Sequence, residues 1–116
     1  MPDWSIRIVT STSGTGADFV PALMDAQPGQ PLLAYTDDMV SWNNRTNDPH
    51  HPWPANEDYE PYADDEVDEE NMLADEIPPR QPSQPAYLCG PAGTIYYVCK
   101  LHPEERGSII VKEIGA

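Results

Sequence analysis

Apolar and polar residues alternate over short runs, separated by clusters of Pro, Gly, Asn and Asp. Ser5-Ile-Arg-Ile-Val-Thr10 is β-branched with partial alternation and predicts a first strand. Phe19 to Met24 is apolar but holds Pro21, which suits an edge strand or an irregular crossing better than a central strand. Leu32-Leu-Ala-Tyr35 runs between turns at Pro28–Pro31 and Thr36–Asp38, and Met39-Val-Ser-Trp-Asn43 is the next strand. Val40, Trp42 and Asn44 share one face of an ideal strand, so Val40 and Trp42 make a core pair and Trp42 is read as packing. Tyr87-Leu-Cys89, Thr94 to Cys99 and Ser108 to Ile114 predict further strands, with Ile95, Tyr97 and Cys99 on one face of the middle one. No segment carries a long amphipathic helical period. The sum is an all-β chain of seven to eight strands, which points to a sandwich.

The intervening segments change this picture. Asn44 to Pro54 is a loop in which Pro49, Pro52 and Pro54 restrict the backbone on both sides of His50 and His51. Asn44-Arg-Thr46 within it matches an N-glycosylation acceptor, which matters only in a glycosylating compartment. Asn56 to Glu76 holds 11 acidic residues and no Lys or Arg, and predicts a solvent-exposed excursion with a short helix around Glu69 to Asp75. Its carboxylates lack the glycine and alternating ligand positions of a calcium loop, so only diffuse cation binding is expected there. Ile77 to Ala86 is an extended, polyproline-like connector. The reading is one domain over residues 1–116 with an acidic, Pro-rich insertion at about 55–86.

The formal charge of −14 comes mainly from Asn56 to Glu76, since 9 acids and 6 bases lie outside that stretch. Such a chain repels nucleic acid and anionic membranes, and a basic protein is the partner that remains. No apolar run approaches the roughly 20 residues of a membrane span. Met1-Pro-Asp-Trp4 has neither a basic leader nor an apolar secretory run. The Gly-Thr-Gly of the Ser11 to Gly16 loop has no following lysine and is not a phosphate loop.

Candidate chemistry lies near the C terminus. Cys99 and His102 stand three residues apart at the end of a predicted strand, and Lys100-Leu101 need only reverse the chain for both to face one centre. Pro103 stiffens the far side of that turn and Gly107 releases it into the last strand. The only other histidines are His50 and His51, so one two-histidine, one-cysteine site is what the chain can build. That donor set prefers copper or zinc. A thiolate and imidazole nucleophile is weakly supported, because no third orienting group accompanies the pair. Cys89 and Cys99 do not make a disulfide framework, and a bridge between them would remove the proposed ligand.

These two blocks, Val40-Ser-Trp42-Asn-Asn44-Arg-Thr46-Asn-Asp-Pro49-His50 and Tyr97-Val-Cys99-Lys-Leu-His102-Pro103-Glu-Glu105-Arg-Gly107-Ser-Ile-Ile-Val111, resemble the cupredoxins. These are small type 1 blue copper proteins, and the likeness is to the short-loop, amicyanin-like or plastocyanin-like kind. The resemblance implies a Greek-key β-sandwich, one copper ion cycling between Cu(II) and Cu(I), and electron transfer in a periplasmic or other extracytoplasmic compartment. It implies metal ligation by His50, with adjacent His51 as the alternative, by Cys99 and by His102. The family's short-loop pattern places a methionine three residues after the second histidine, where this chain has Glu105. A coordinating Glu105 favours Cu(II) and lowers the potential; a non-coordinating one is a solvated charge facing Arg106 or Lys100.

The expectation is a monomeric electron carrier, not an enzyme. Trp53, Leu101 and Pro103 would form a docking patch around His102, and the acidic insertion would steer a basic cytochrome or oxidoreductase. A copper-handling or small-molecule-reactive protein is the alternative, favoured by the missing methionine. A non-redox interaction domain using the acidic insertion is a third reading.

Overall fold

The computed structural model describes residues 3–11, 16–23, 25–68, 71–83 and 86–113. Its strands are β1 (Asp3–Thr10), β2 (Ala17–Pro21), β3 (Leu32–Tyr35), β4 (Met39–Asn44), β5 (Pro52–Ala55), β6 (Tyr87–Leu88), β7 (Gly93–Cys99) and β8 (His102–Lys112). They form two four-stranded sheets, ordered β2-β1-β4-β6 and β3-β8-β7-β5. The β1–β4 and β3–β8 pairs are parallel and the others antiparallel, so both sheets are mixed. The all-β sandwich read from the alternation is therefore the observed architecture. Among the described residues no helix is long and apolar enough to cross a membrane.

The inward faces meet in one core. Ile6, Ile8, Phe19, Leu32, Val40, Trp42, Tyr97, Cys99 and Ile109 are all buried in it. Tyr97 stands edge-on to both Phe19 and Trp42, with ring centroids 4.9 and 5.4 Å away. The ring fits because Gly107 lies directly opposite it on β8, where any side chain would occupy the ring's own space. The glycine read as a turn release is thus a packing position inside a strand.

Four expectations need correction. The proline-dense loop continues as β5 from Pro52, which is possible because β5 is an edge strand with only β7 as its partner. The last strand begins at His102, not Ser108, with a register shift at Val98/Cys99 that turns the chain tightly between the two ligand candidates. β2 starts at Ala17, two residues before the apolar run. Residues 71–75 are not helical; among the described residues, the one helical turn of the acidic segment is at Asp64–Glu66. Glu69 and Glu70 of the expected helix, residues 12–15 of the loop, Met24 and Ile114 lie outside the described residues.

Nor is the acidic segment wholly an excursion. Leu73, Ala74 and Ile77 are buried in the core. Ile77 exchanges two backbone hydrogen bonds with His50, of 2.7 and 3.1 Å. Downstream, the Asn44 N–H donates to the Gln81 carbonyl and the Ser83 N–H to the Trp42 carbonyl. β6 pairs only with Met39 and Val40, so the connector covers the rest of the β4 edge and satisfies its backbone groups.

Candidate metal centre

Three elements bring the donors together. Cys99 ends β7, His102 and Glu105 open β8, and His50 follows the Asn44–Pro49 turn out of β4. One donor atom from each of these four residues lies within 4.8 Å of all the others. Cys99 Sγ is 3.6 Å from His50 Nδ1 and 3.7 Å from His102 Nδ1. Glu105 Oε1 is 3.1 Å from His50 Nδ1 and 3.6 Å from His102 Nδ1. His50, Cys99 and Glu105 are buried, whereas the His102 side chain is 40% exposed. His102 is the edge of the cluster that meets solvent.

Three of the four donors are held from behind. The Cys99 sulfur accepts the His51 N–H at 3.4 Å. Thr46 Oγ1 lies 3.0 Å from His50 Nε2, and its one proton goes to Asn44 Oδ1 at 2.8 Å or the Asp48 carbonyl at 3.0 Å. Both of those atoms only accept, so Oγ1 accepts from Nε2–H, and Nδ1 is the nitrogen that faces the cluster. Asn44 is itself fully buried, donating to the carbonyls of Asp48, Ile77 and Pro78. The Asn44-Arg-Thr46 pattern is accordingly a buried brace and not a surface acceptor. Glu105 Oε2 accepts the Ala17 N–H at 2.7 Å. Oε1, aimed at the cluster, has the His50 and His102 ring nitrogens as its polar neighbours.

The electrostatics follow from two anionic groups beside two imidazoles. Burial raises the Cys99 thiol, but hydrogen bonds from His50, the His51 N–H and His102 more than offset it, so it lies below its ordinary value of 9.0. Burial lowers His50, yet the Cys99 sulfur and Glu105 outweigh it and lift the imidazole from 6.5 to about 9. His102 is raised by Cys99 and, less strongly, by Glu105, against some burial. A cavity walled by two acids and two bases, with one buried carboxylate oxygen turned to the two imidazoles, is a cation site by its chemistry. One sulfur, two nitrogens and one oxygen suit a single soft or borderline ion.

Of the adjacent histidines, it is His50 whose ring lies in the cluster. His51 contributes its backbone to Cys99, while its ring turns away and stands edge-on to Trp53 at 5.3 Å. Burial lowers its pKa. Trp53 is 4% exposed and lies beneath the Lys100 ammonium, 4.0 Å from its ring, so it is not part of a surface patch around His102. Leu101 and Pro103 are exposed there. Glu105 is likewise not a solvated charge facing Lys100 or Arg106, since it is 4% exposed. Cys89 is a buried free thiol outside the cluster, pushed up to about 11 by burial and by Asp38. The supporting roles of Thr46, Asn44 and the Ala17 amide escaped the sequence reading.

No protein-family model matches the chain, and no curated relative matches its sequence. Solved structures do. A proline-to-alanine variant of amicyanin in its oxidized state is 27% identical over 71% of this chain and 69% of that one, with a TM-score of 0.53. A purple cupredoxin from Nitrosopumilus maritimus covers 93% and 98% of the two chains at 16% identity and a TM-score of 0.66. Amicyanin from Paracoccus versutus covers 97% and 85% at 18% identity and a TM-score of 0.58. The chain is a cupredoxin-like β-sandwich bearing a Cys, two-His and Glu cluster, consistent with an amicyanin-like blue-copper site in which glutamate replaces the axial methionine.

Proposed function

We propose that this protein is a one-electron carrier that holds a single copper ion between His50, Cys99, His102 and Glu105. The observation that carries the reading is the convergence of those four donor atoms within 4.8 Å at one end of the sandwich. Copper, when bound, supplies a Cu(II)/Cu(I) couple. The residues do the rest. Cys99 and Glu105 place two negative charges in the cluster, which favours the more highly charged ion and a low potential. Two sheets and the Asn44 brace keep the donors from rearranging with oxidation state. The half-exposed His102, with Leu101 and Pro103 beside it, offers the surface through which a partner would exchange the electron.

The partner we infer is a redox protein with a basic docking face, a cytochrome or oxidoreductase, met by a monomeric carrier in a periplasmic or other extracytoplasmic compartment. The acidic segment supports this through steering. Absorption and electron paramagnetic resonance of the copper-loaded protein, with metal content measured on the same sample, test the site. A thiolate-to-copper band at one ion per chain is expected; copper bound without that band, or no stoichiometric copper, refutes the reading.

One observation favours a second reading, a small-molecule-reactive copper protein. A cleft of about 320 Å³, lined by Thr46, Asp48, His50, His102, Glu104 and Glu105 among others, opens beside the cluster. Spectral change on adding nitric oxide or peroxide to the Cu(II) form would support it, whereas a closed carrier responds little.

A further inference from the structure

We propose that a seat formed by Gly16 and Ala17 makes position 105 selective for a carboxylate, so that neither glutamine nor methionine can replace Glu105 as a ligand. The inference rests on the reading of the cluster as a metal site and concerns how this chain presents its oxygen donor.

The two oxygens of Glu105 have different jobs. Oε2 is turned outward and accepts the buried Ala17 N–H at 2.7 Å. Oε1 is turned inward, 3.1 Å from His50 Nδ1 and 3.6 Å from His102 Nδ1. The outward oxygen has room because residue 16 is glycine: a Cβ there would lie 3.2 Å from Oε2, and the backbone has a φ of +73°, which side chains disfavour. The Gly16 carbonyl in turn accepts the Ser11 N–H at 3.1 Å, fixing the base of the loop. Position 105 must therefore offer an acceptor outward and a lone pair inward. An ionised carboxylate has acceptors on both oxygens, while an amide has one acceptor and one donor.

Glutamine at this site is thus forced to choose. With its oxygen on the Ala17 N–H, it aims its NH2 group at the cluster, where hydrogens face the ion and no lone pair does. The reverse rotamer sets NH2 against N–H in a buried place, two donors with no acceptor. Methionine has a single weak acceptor and leaves the Ala17 amide without a partner. The seat acts by positioning; Glu105 is the ligand.

The test compares wild type, Glu105→Gln and Glu105→Ala. In the copper-loaded proteins, the Glu105→Gln spectrum and hyperfine splitting should coincide with those of Glu105→Ala and differ from wild type. In the metal-free proteins, the Ala17 amide should keep its hydrogen-exchange protection in Glu105→Gln and lose it roughly tenfold or more in Glu105→Ala, the size of one lost hydrogen bond. A Glu105→Gln copper spectrum matching wild type but not Glu105→Ala, all three spectra alike, or an Ala17 amide as unprotected in Glu105→Gln as in Glu105→Ala, would each overturn the proposal. A wild-type protein lacking the thiolate-to-copper band would instead overturn the copper reading, while the exchange comparison would still report on the seat.

Discussion

Thr46→Val removes one oxygen atom from the brace behind His50 and keeps the side-chain shape. Thr46 is 5% exposed and His50 2%, so water does not readily replace the lost partner. The change deprives His50 Nε2–H of the acceptor it has at 3.0 Å. It costs less elsewhere: Asn44 Oδ1 keeps the Thr46 N–H at 3.0 Å, and the Asp48 N–H contact with Oγ1 is already long at 3.3 Å. One buried donor is therefore orphaned, a loss of about 1–3 kcal/mol. In the metal-free protein the upper half of that range applies, because an imidazole lifted to about 9 is cationic at neutral pH. For a chain of this size the melting temperature should drop by roughly 8–15 °C. Copper affinity should fall as well, by about 10–100-fold, because the tautomer with Nδ1 free is no longer enforced. Urea unfolding of the metal-free form and a copper competition titration measure the two effects, with Thr46→Ser, which keeps the hydroxyl, staying near wild type. A Thr46→Val protein that unfolds at the wild-type urea concentration and binds copper equally well would show that the hydroxyl does not hold His50.

Three further outcomes follow from the geometry. Gly107→Ala should destabilise the metal-free protein by about 2–3 kcal/mol or prevent folding, since the new methyl falls within the fully enclosed Tyr97 ring; a midpoint in urea unchanged from wild type would contradict the packing. Asp64→Asn should alter stability by less than about 0.5 kcal/mol in the same assay, because its 3.0 Å pair with Lys100 is largely solvent-exposed. Electron transfer to a basic redox protein should slow steeply as salt rises, and a stopped-flow rate flat across ionic strength would remove the steering role of the acidic segment.

How much of this was legible depends on whether a residue's role is set by its neighbours in sequence. β1, β4 and β7 announce themselves through alternation, and Val40, Trp42, Tyr97 and Cys99 point inward as their period requires. Cys99 and His102 are linked by a turn so short that their convergence is almost local. The choice of His50 over His51 is not local, because it depends on the His50–Ile77 bridge, which aligns the loop and seats the ring; Ile77 reads only as part of a proline-rich connector. β5 was hidden because its prolines argue against a strand until the sheet order shows it at an edge. The seat of Glu105 was illegible for the same kind of reason, since Ala17 lies 88 positions away and contributes only a backbone N–H, a group every residue but proline carries.

The charge balance of the cluster sets how metal loading must depend on pH. A buried thiolate and carboxylate cannot remain uncompensated, and in the metal-free protein His50 supplies a balancing charge by holding a proton up to about pH 9. A metal ion bound at Nδ1 must displace that proton, so loading between pH 6.5 and 9 should release it to the buffer. Apparent copper affinity should accordingly climb with pH, by up to about tenfold per unit, and level off above the His50 value. The imidazoles' contribution to the stability of the metal-free fold should move the other way. The folded state binds more protons at His50 and His102 than the unfolded chain does above pH 6.5, so their contribution, complete below that pH, is lost as the pH passes through the raised values. Cys99, depressed below 9.0, opposes this from its own folded value up to 9.0, where the folded state has already lost a proton that an unfolded thiol keeps. Cys99→Ser removes the strongest of the contacts that raise His50 and should lower the pH at which the His50 contribution is lost. Calorimetric titrations in buffers of different ionisation enthalpy give the proton count directly. If no proton is released at pH 7.5, the imidazole is neutral before metal arrives, and the two anionic groups do not jointly hold it protonated.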